Sequence, residues 1–117
     1  MRMWMVNPKI MCRKHLLGEH VEHHMFVGTI NKGISVDGYL RDNLLEPLSL
    51  VSRHKELVAE MESRGYNHRS ELPVVLLAGL TPAQCGVQID QEASLKELIR
   101  RCPECRARYE ELKNEQD

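Results

Sequence analysis

The stretch that decides the fold is Met11-Cys12-Arg13-Lys14-His15-Leu16-Leu17-Gly18-Glu19-His20-Val21-Glu22-His23-His24-Met25-Phe26-Val27-Gly28-Thr29-Ile30. It contains no proline, and apolar residues recur at helical spacing, so residues 11–30 are expected to form one helix. At 100° per residue Leu17, Val21 and Met25 fall on one stripe, which marks the expected apolar face. Glu22 lies off that stripe, near His15, Glu19 and Phe26. His15 and Glu22 are seven apart, on the same side and two turns from each other. Taken alone, this is either a solvated acidic face with an incidental histidine or a pair that does chemistry.

Outward from this helix, punctuation is clear. Residues 3–10 contain Asn7-Pro8 and read as an extended arm leading into the helix. Gly33, Gly38 and Pro47 mark residues 31–47 as a loop. A second helix is expected from Ser49 to Arg64, with Leu50, Val51, His54, Leu57, Val58 and Met61 giving the period. Gly65 then supplies the left-handed residue after its end. Residues 71–90 include Leu72-Pro73-Val74-Val75-Leu76-Leu77, which suits a short buried strand, a helical turn or packed coil. A last helix begins near Gln91, with Leu95, Leu98, Cys102, Cys105, Tyr109 and Leu112 at seam spacing. Pro103 should break or kink it near Arg101. The expected fold is all-α: a single compact domain over residues 1–117, of about three helices joined by long loops.

The chain has 117 residues, enough for one modest core. No apolar run approaches a membrane span, and the start lacks the apolar segment of a signal peptide. A cytoplasmic protein, of a cell or an infected cell, is the expectation. Net charge is −1, from 16 basic and 17 acidic side chains. That is modest support for nucleic-acid binding, which draws on phosphate neutralisation. Acidic residues crowd the tail at Glu104, Glu110, Glu111, Glu115 and Asp117, leaving the remainder nearly balanced. Local basic patches remain at Arg2, Lys9, Arg13 and Lys14, and at Arg53, His54 and Lys55.

Two segments carry a resemblance. The first is Met1-Arg2 followed by Lys14-His15-Leu16-Leu17-Gly18-Glu19-His20-Val21-Glu22; the second is Arg64-Gly65-Tyr66-Asn67-His68-Arg69 after Glu56-Leu57-Val58-Ala59-Glu60-Met61. Together they resemble the pyrimidine-dimer DNA glycosylases, the endonuclease V-like enzymes of phages and viruses. The likeness is strongest over residues 1–30 and 53–69. It implies an all-helical enzyme whose nucleophile is the chain's own α-amino group and whose first helix carries the working glutamate. By position, Met1 supplies the amine, Glu22 is the carboxylate, Arg2 holds a phosphate, and His15 supports the site or contacts the DNA backbone. The resemblance implies DNA-facing residues at Arg2, Tyr66, Asn67, His68 and Arg69; the local basic patches add Arg13, Lys14, Arg53 and His54 to the expected DNA-binding set. No metal or organic cofactor is implied. The implied partner is double-stranded DNA with damaged pyrimidines, bound by a monomer, with no membrane involved.

The chemistry suits these groups. An amine must be neutral to attack a sugar carbon, and an unperturbed α-amino group titrates at roughly 7.7–8.0, far below lysine. A nearby carboxylate stabilises positive charge on the sugar and shuttles protons. This sequence also departs from the best-known members. Arg2 is large, so Met1 is expected to be retained as the terminal residue. Val21 and Met25 stand where two arginines help to read the lesion. The aromatic-rich segment used against damaged DNA is replaced by Cys102-Pro103-Glu104-Cys105-Arg106-Ala107-Arg108-Tyr109.

Cys102 and Cys105 have the spacing of half a zinc site. Cys12 with a histidine, or two of His20, His23 and His24, would complete it and tie the last helix to the first. The alternative is a pair of buried small residues. His20, His23 and His24 themselves read as a metal site, a cationic contact or ordinary interface histidines. No disulfide framework is expected without a secretion signal. No phosphate-cradling glycine loop or linear serine-hydrolase signature is present. The competing functional class is a noncatalytic DNA-binding or protein-interaction module on the same helices, zinc-stapled in one version.

Overall fold

A computed structural model describes residues 1–68 and 70–116. Among these, six α-helices and no strand are found: α1 (Arg13–Asn31), α2 (Asp37–Arg41), α3 (Leu50–Ser63), α4 (Pro82–Cys85), α5 (Gln91–Arg101) and α6 (Pro103–Gln116). The all-α expectation holds. The expected last helix is two, because Pro103 cannot continue α5 and instead opens α6. Residues 71–90 are coil, a short 3-10 turn and α4, so the strand alternative is not realised. Among the described residues, no helix is long and apolar enough to cross a membrane.

The helix ends follow local chemistry. Cys12 caps α1, its sulfur accepting from the His15 N–H. Asp90 caps α5 by accepting from the Ala93 N–H at 3.0 Å. Gly65 takes φ +81, and Tyr66 N–H returns to the Met61 carbonyl at 2.9 Å, closing α3 as anticipated.

Two apolar clusters fill the interior. One joins Trp4, Val6, Ile10, Met11 and Leu16 to Leu57 and Met61 of α3 and Leu98, Cys102 and Cys105 of the last two helices. The other joins Met3 to Phe26, Val27 and Ile30 of α1 with Val36, Leu40, Leu45, Leu50 and Ile89. The amino-terminal arm enters both. A regular strand would alternate faces, yet Met3, Trp4 and Val6 are all buried. Met5, at φ +55, breaks the alternation.

The buried face of α1 departs from the expected stripe. Val21 and Met25 are half exposed, while Leu16, Glu19, His20, His23, Phe26, Val27 and Ile30 face inward. The helix turns a partly polar face to the core because those polar groups find partners there. Arg53 of α3 is 1% exposed and grips Glu19 through two bonds, Nε to Oε2 at 2.7 Å and Nη2 to Oε1 at 3.0 Å. Its Nη1 donates to the Val6 carbonyl at 2.6 Å and to Glu56 at 3.2 Å. Arg53 was expected to meet DNA. Its burial and its use of all three guanidinium nitrogens remove it from any DNA-facing surface. Arg69, also expected there, lies outside the described residues.

The coil after α3 is held from outside the core. Asn31 Nδ2 donates to the Val74 carbonyl at 2.8 Å, and its Oδ1 accepts from Leu76 N–H at 2.8 Å. One side chain thus supplies the pair of bonds that a neighbouring strand would give.

Breaking a buried ion pair from one side leaves an uncompensated charge and costs about 3–5 kcal/mol. Arg53→Met and Glu19→Gln should each lower stability by that amount in chemical denaturation. A paired Glu19→Leu, Arg53→Met chain should regain much of it. Single variants as stable as the parent would show that the arm is held by other contacts.

Candidate active site at the amino terminus

The arm places the first residues against α1. Met3 N–H donates to the Leu44 carbonyl at 2.8 Å, and the Met3 side chain is fully buried. Arg2 N–H donates to Glu22 Oε2 at 3.1 Å. Successive Cα atoms are about 3.8 Å apart, so the Met1 amine lies within one residue of the Glu22 carboxylate. The Met1 side chain packs on the second cluster, which limits how far the terminus swings.

Arg2 is fixed at both ends. Its Nη2 donates to Ser94 Oγ at 2.9 Å, and its guanidinium lies 3.9 Å from the centre of the Trp4 ring. Ser94, almost fully buried, donates in turn to the Trp4 carbonyl. Arg101 approaches the same ring at 5.4 Å. Burial, with Arg101 adding to it, lowers the pKa of Arg2. Two guanidiniums around one indole concentrate positive charge beside the terminus, where an anion would be favoured. His15 meets Trp4 edge-on, with ring centres 5.9 Å apart. Its Nδ1 points to sulfur, 3.2 Å from Cys12 Sγ and 3.7 Å from Cys105 Sγ. Burial, then the charges of Lys14 and Arg101, lowers the pKa of His15, favouring neutral imidazole.

The other expected site residues spread around this centre. Arg13 places its guanidinium 4.6 Å from the centre of the Tyr66 ring, bringing two of them together. Lys14 and Asn67 are exposed. His68 does not stand free: its Nε2 is 2.9 Å from His20 Nε2. His54, buried, joins the same group, with ring centres 5.0 Å from His20 and 5.6 Å from His68. His54 is therefore an interior residue and not the surface contact anticipated. His24 completes the stack, 5.0 Å from His20.

Two sets of side chains are spaced for a metal: Cys12, His15, Cys102 and Cys105, and separately His20, His54 and His68. The histidine trio already has an internal partner arrangement, one ring donating and the other accepting between His20 and His68. Trp4, Ser94 and Arg101 were not foreseen as parts of the site. Trp4 was readable as a lone aromatic next to Arg2, but Ser94 and Arg101 become neighbours of the arm only through the fold.

Burial first, then the mutual repulsion of His20, His24, His54, His68 and His23, pushes the pKa of His20 and of His54 down to about 4. The unfolded chain therefore takes up protons that the folded chain refuses. This contribution to stability is fully present above the ordinary value of 6.5 and is lost as pH falls from there towards about 4. The melting temperature should decline over that window, and His20→Gln with His54→Gln should flatten the decline. An identical slope in parent and variant would remove these histidines as its cause.

Comparison with known proteins adds one finding. The family model described as pyrimidine dimer DNA glycosylase matches residues 1–74. No curated protein and no solved structure matches the chain. The matched region holds Met1, Arg2, His15, Glu22 and Tyr66 but ends before Ser94, Arg101, Cys102 and Cys105. The chain belongs to the pyrimidine dimer DNA glycosylase family, a family of DNA repair glycosylases.

Proposed function

We propose that this protein excises damaged pyrimidines, above all cyclobutane dimers, from duplex DNA and then cleaves the abasic strand. The Arg2–Glu22 contact carries the reading, because it sets the Met1 amine beside a carboxylate on a rigid helix. The neutral amine attacks C1′, a C1′–N bond forms, and the bond to the base breaks; the base takes up the proton the amine gives and, in a dimer, stays joined to its neighbour through the cyclobutane ring. Ring opening, in which the C1′–O4′ bond breaks and O4′ takes a proton from solvent, gives a protonated Schiff base between C1′ and the Met1 nitrogen. Glu22 stabilises the cationic sugar, then takes a proton from C2′ as the 3′-phosphate leaves. Water hydrolyses the imine and frees the terminus.

The neighbouring groups serve positioning. Arg2 offers its charge to the sugar-phosphate, with Trp4, Ser94 and Arg101 holding the guanidinium in place. His15 supports the same edge. Arg13, Lys14, Tyr66, Asn67 and His68 supply the wider DNA face, with Arg53 and His54 withdrawn from it. Val21 and Met25, half exposed on α1 near Glu22 in sequence, give this face apolar contacts where the best-known member of the family carries arginines. The reacting carbon is hindered in stacked DNA, so the duplex must be distorted to expose it. The protein acts as a monomer, and no step uses a metal or organic cofactor.

Borohydride trapping tests the reading, using protein with a free Met1 terminus on ultraviolet-irradiated and on abasic duplex DNA. A covalent adduct on the Met1 amine is expected with both substrates. Glu22→Gln keeps an acceptor for Arg2 N–H but loses the proton relay, so turnover should drop by about 100-fold or more. An adduct with abasic DNA alone would leave a lyase without this lesion preference. No adduct from folded, unblocked protein would overturn the mechanism in favour of a binding module.

A further inference from the structure

We infer that Cys12, His15, Cys102 and Cys105 form a structural zinc site that staples the amino-terminal end of α1 to the junction of α5 and α6. Their ligand atoms all lie within 4.8 Å of one another. Zinc binds sulfur at about 2.3 Å and imidazole nitrogen at about 2.0–2.1 Å in a tetrahedron. That geometry sets sulfur–sulfur edges of roughly 3.8 Å and sulfur–nitrogen edges of roughly 3.6 Å. Here Cys12 Sγ and Cys102 Sγ are 3.9 Å apart, Cys105 Sγ and His15 Nδ1 3.7 Å, and Cys12 Sγ and His15 Nδ1 3.2 Å. The fourfold set is closed, as structural zinc sites are, with no ligand position left for substrate.

The backbone around the cluster is arranged for thiolates. Cys12 N–H donates to Cys105 Sγ at 3.2 Å, Cys105 N–H to Cys102 Sγ at 3.4 Å, and His15 N–H to Cys12 Sγ at 3.5 Å. Cys12 sits at the positive end of α1, which favours a negative sulfur. Pro103 starts α6 at once, so Cys102 before it and Cys105 in its first turn converge on one point. On binding, three thiols release their protons to solvent and zinc takes three thiolates and one neutral imidazole. Ligation through Nδ1 leaves the His15 Nε2 protonated, on a ring that meets Trp4 edge-on. The family match ends at residue 74, so the two cysteines of α5–α6 are features of this chain beyond that match.

Metal analysis tests the site on untagged full-length protein, with no dependence on catalysis. One equivalent of zinc per chain should be bound, and cobalt(II) added in its place should give the intense thiolate-to-metal absorption of a sulfur-rich tetrahedral site. Cys102→Ser and Cys105→Ser should each lose that equivalent and that band. Cys85→Ser, at a cysteine outside the cluster, and His54→Gln should keep both. A parent protein without the cobalt–thiolate band would overturn the proposal whether or not the variants fold. Zinc lost in His54→Gln but kept in Cys102→Ser and Cys105→Ser would move the metal to the histidine trio and equally overturn it.

Discussion

The buried bond between Arg53 and Glu19 is the constraint on which the rest depends. It spans α1 and α3, and the same guanidinium holds the Val6 carbonyl of the arm. Two charges removed from water demand good geometry and full hydrogen bonding to offset desolvation. Arg53 meets that demand only when α1, α3 and the arm stand in one register. A greasy contact would tolerate sliding; a two-pronged carboxylate–guanidinium contact does not. The register in turn decides which face of α1 carries Glu22 outward, towards the chain's first residue.

The arm is thus as much core as a helix is. Met3 and Trp4 enter different apolar clusters, and the left-handed turn at Met5 allows Val6 to be buried as well. Conformational strain of this kind, costing roughly 1–2 kcal/mol for a residue with a Cβ, is borne where surrounding packing fixes the chain. The result is a terminal segment with the placement accuracy of an internal one. Reactive groups on flexible ends lose much of the advantage of proximity; one anchored on both sides keeps it.

Much of this was legible in the sequence, for identifiable reasons. Helix positions followed from period and punctuation: Gly65 closed α3 and Pro103 divided the final helix where steric rules put it. Met1, Arg2, His15 and Glu22 were singled out through the family resemblance, which one short stretch of sequence carries; helical period by itself left His15 and Glu22 as an ordinary polar face. The interior face of α1 was misread because hydrophobic period treats Glu19 and His23 as surface residues, whereas pairing with Arg53 and with backbone makes them interior ones. Arg53 and His54 looked like a basic patch for the same reason. Ser94 and Arg101 were invisible because their link to the arm spans about ninety residues and has no local signature. The thiol–imidazole cluster was half readable: Cys-x-x-Cys gave two members and named Cys12 with a histidine as one of two ways to finish it.

The bonds of the arm to the far end of the chain have a consequence for how the molecule is made. Arg2 and Trp4 find Ser94, and Cys12 finds Cys105, only after nearly the whole polypeptide exists. At roughly 5–20 residues per second, a ribosome needs on the order of ten seconds to deliver those partners. During that interval the arm has its partners at Glu22 and Leu44 but not those at Ser94 and Cys105. Synthesis order therefore leaves the arm held by α1 and the following loop first, and by α5 and α6 last.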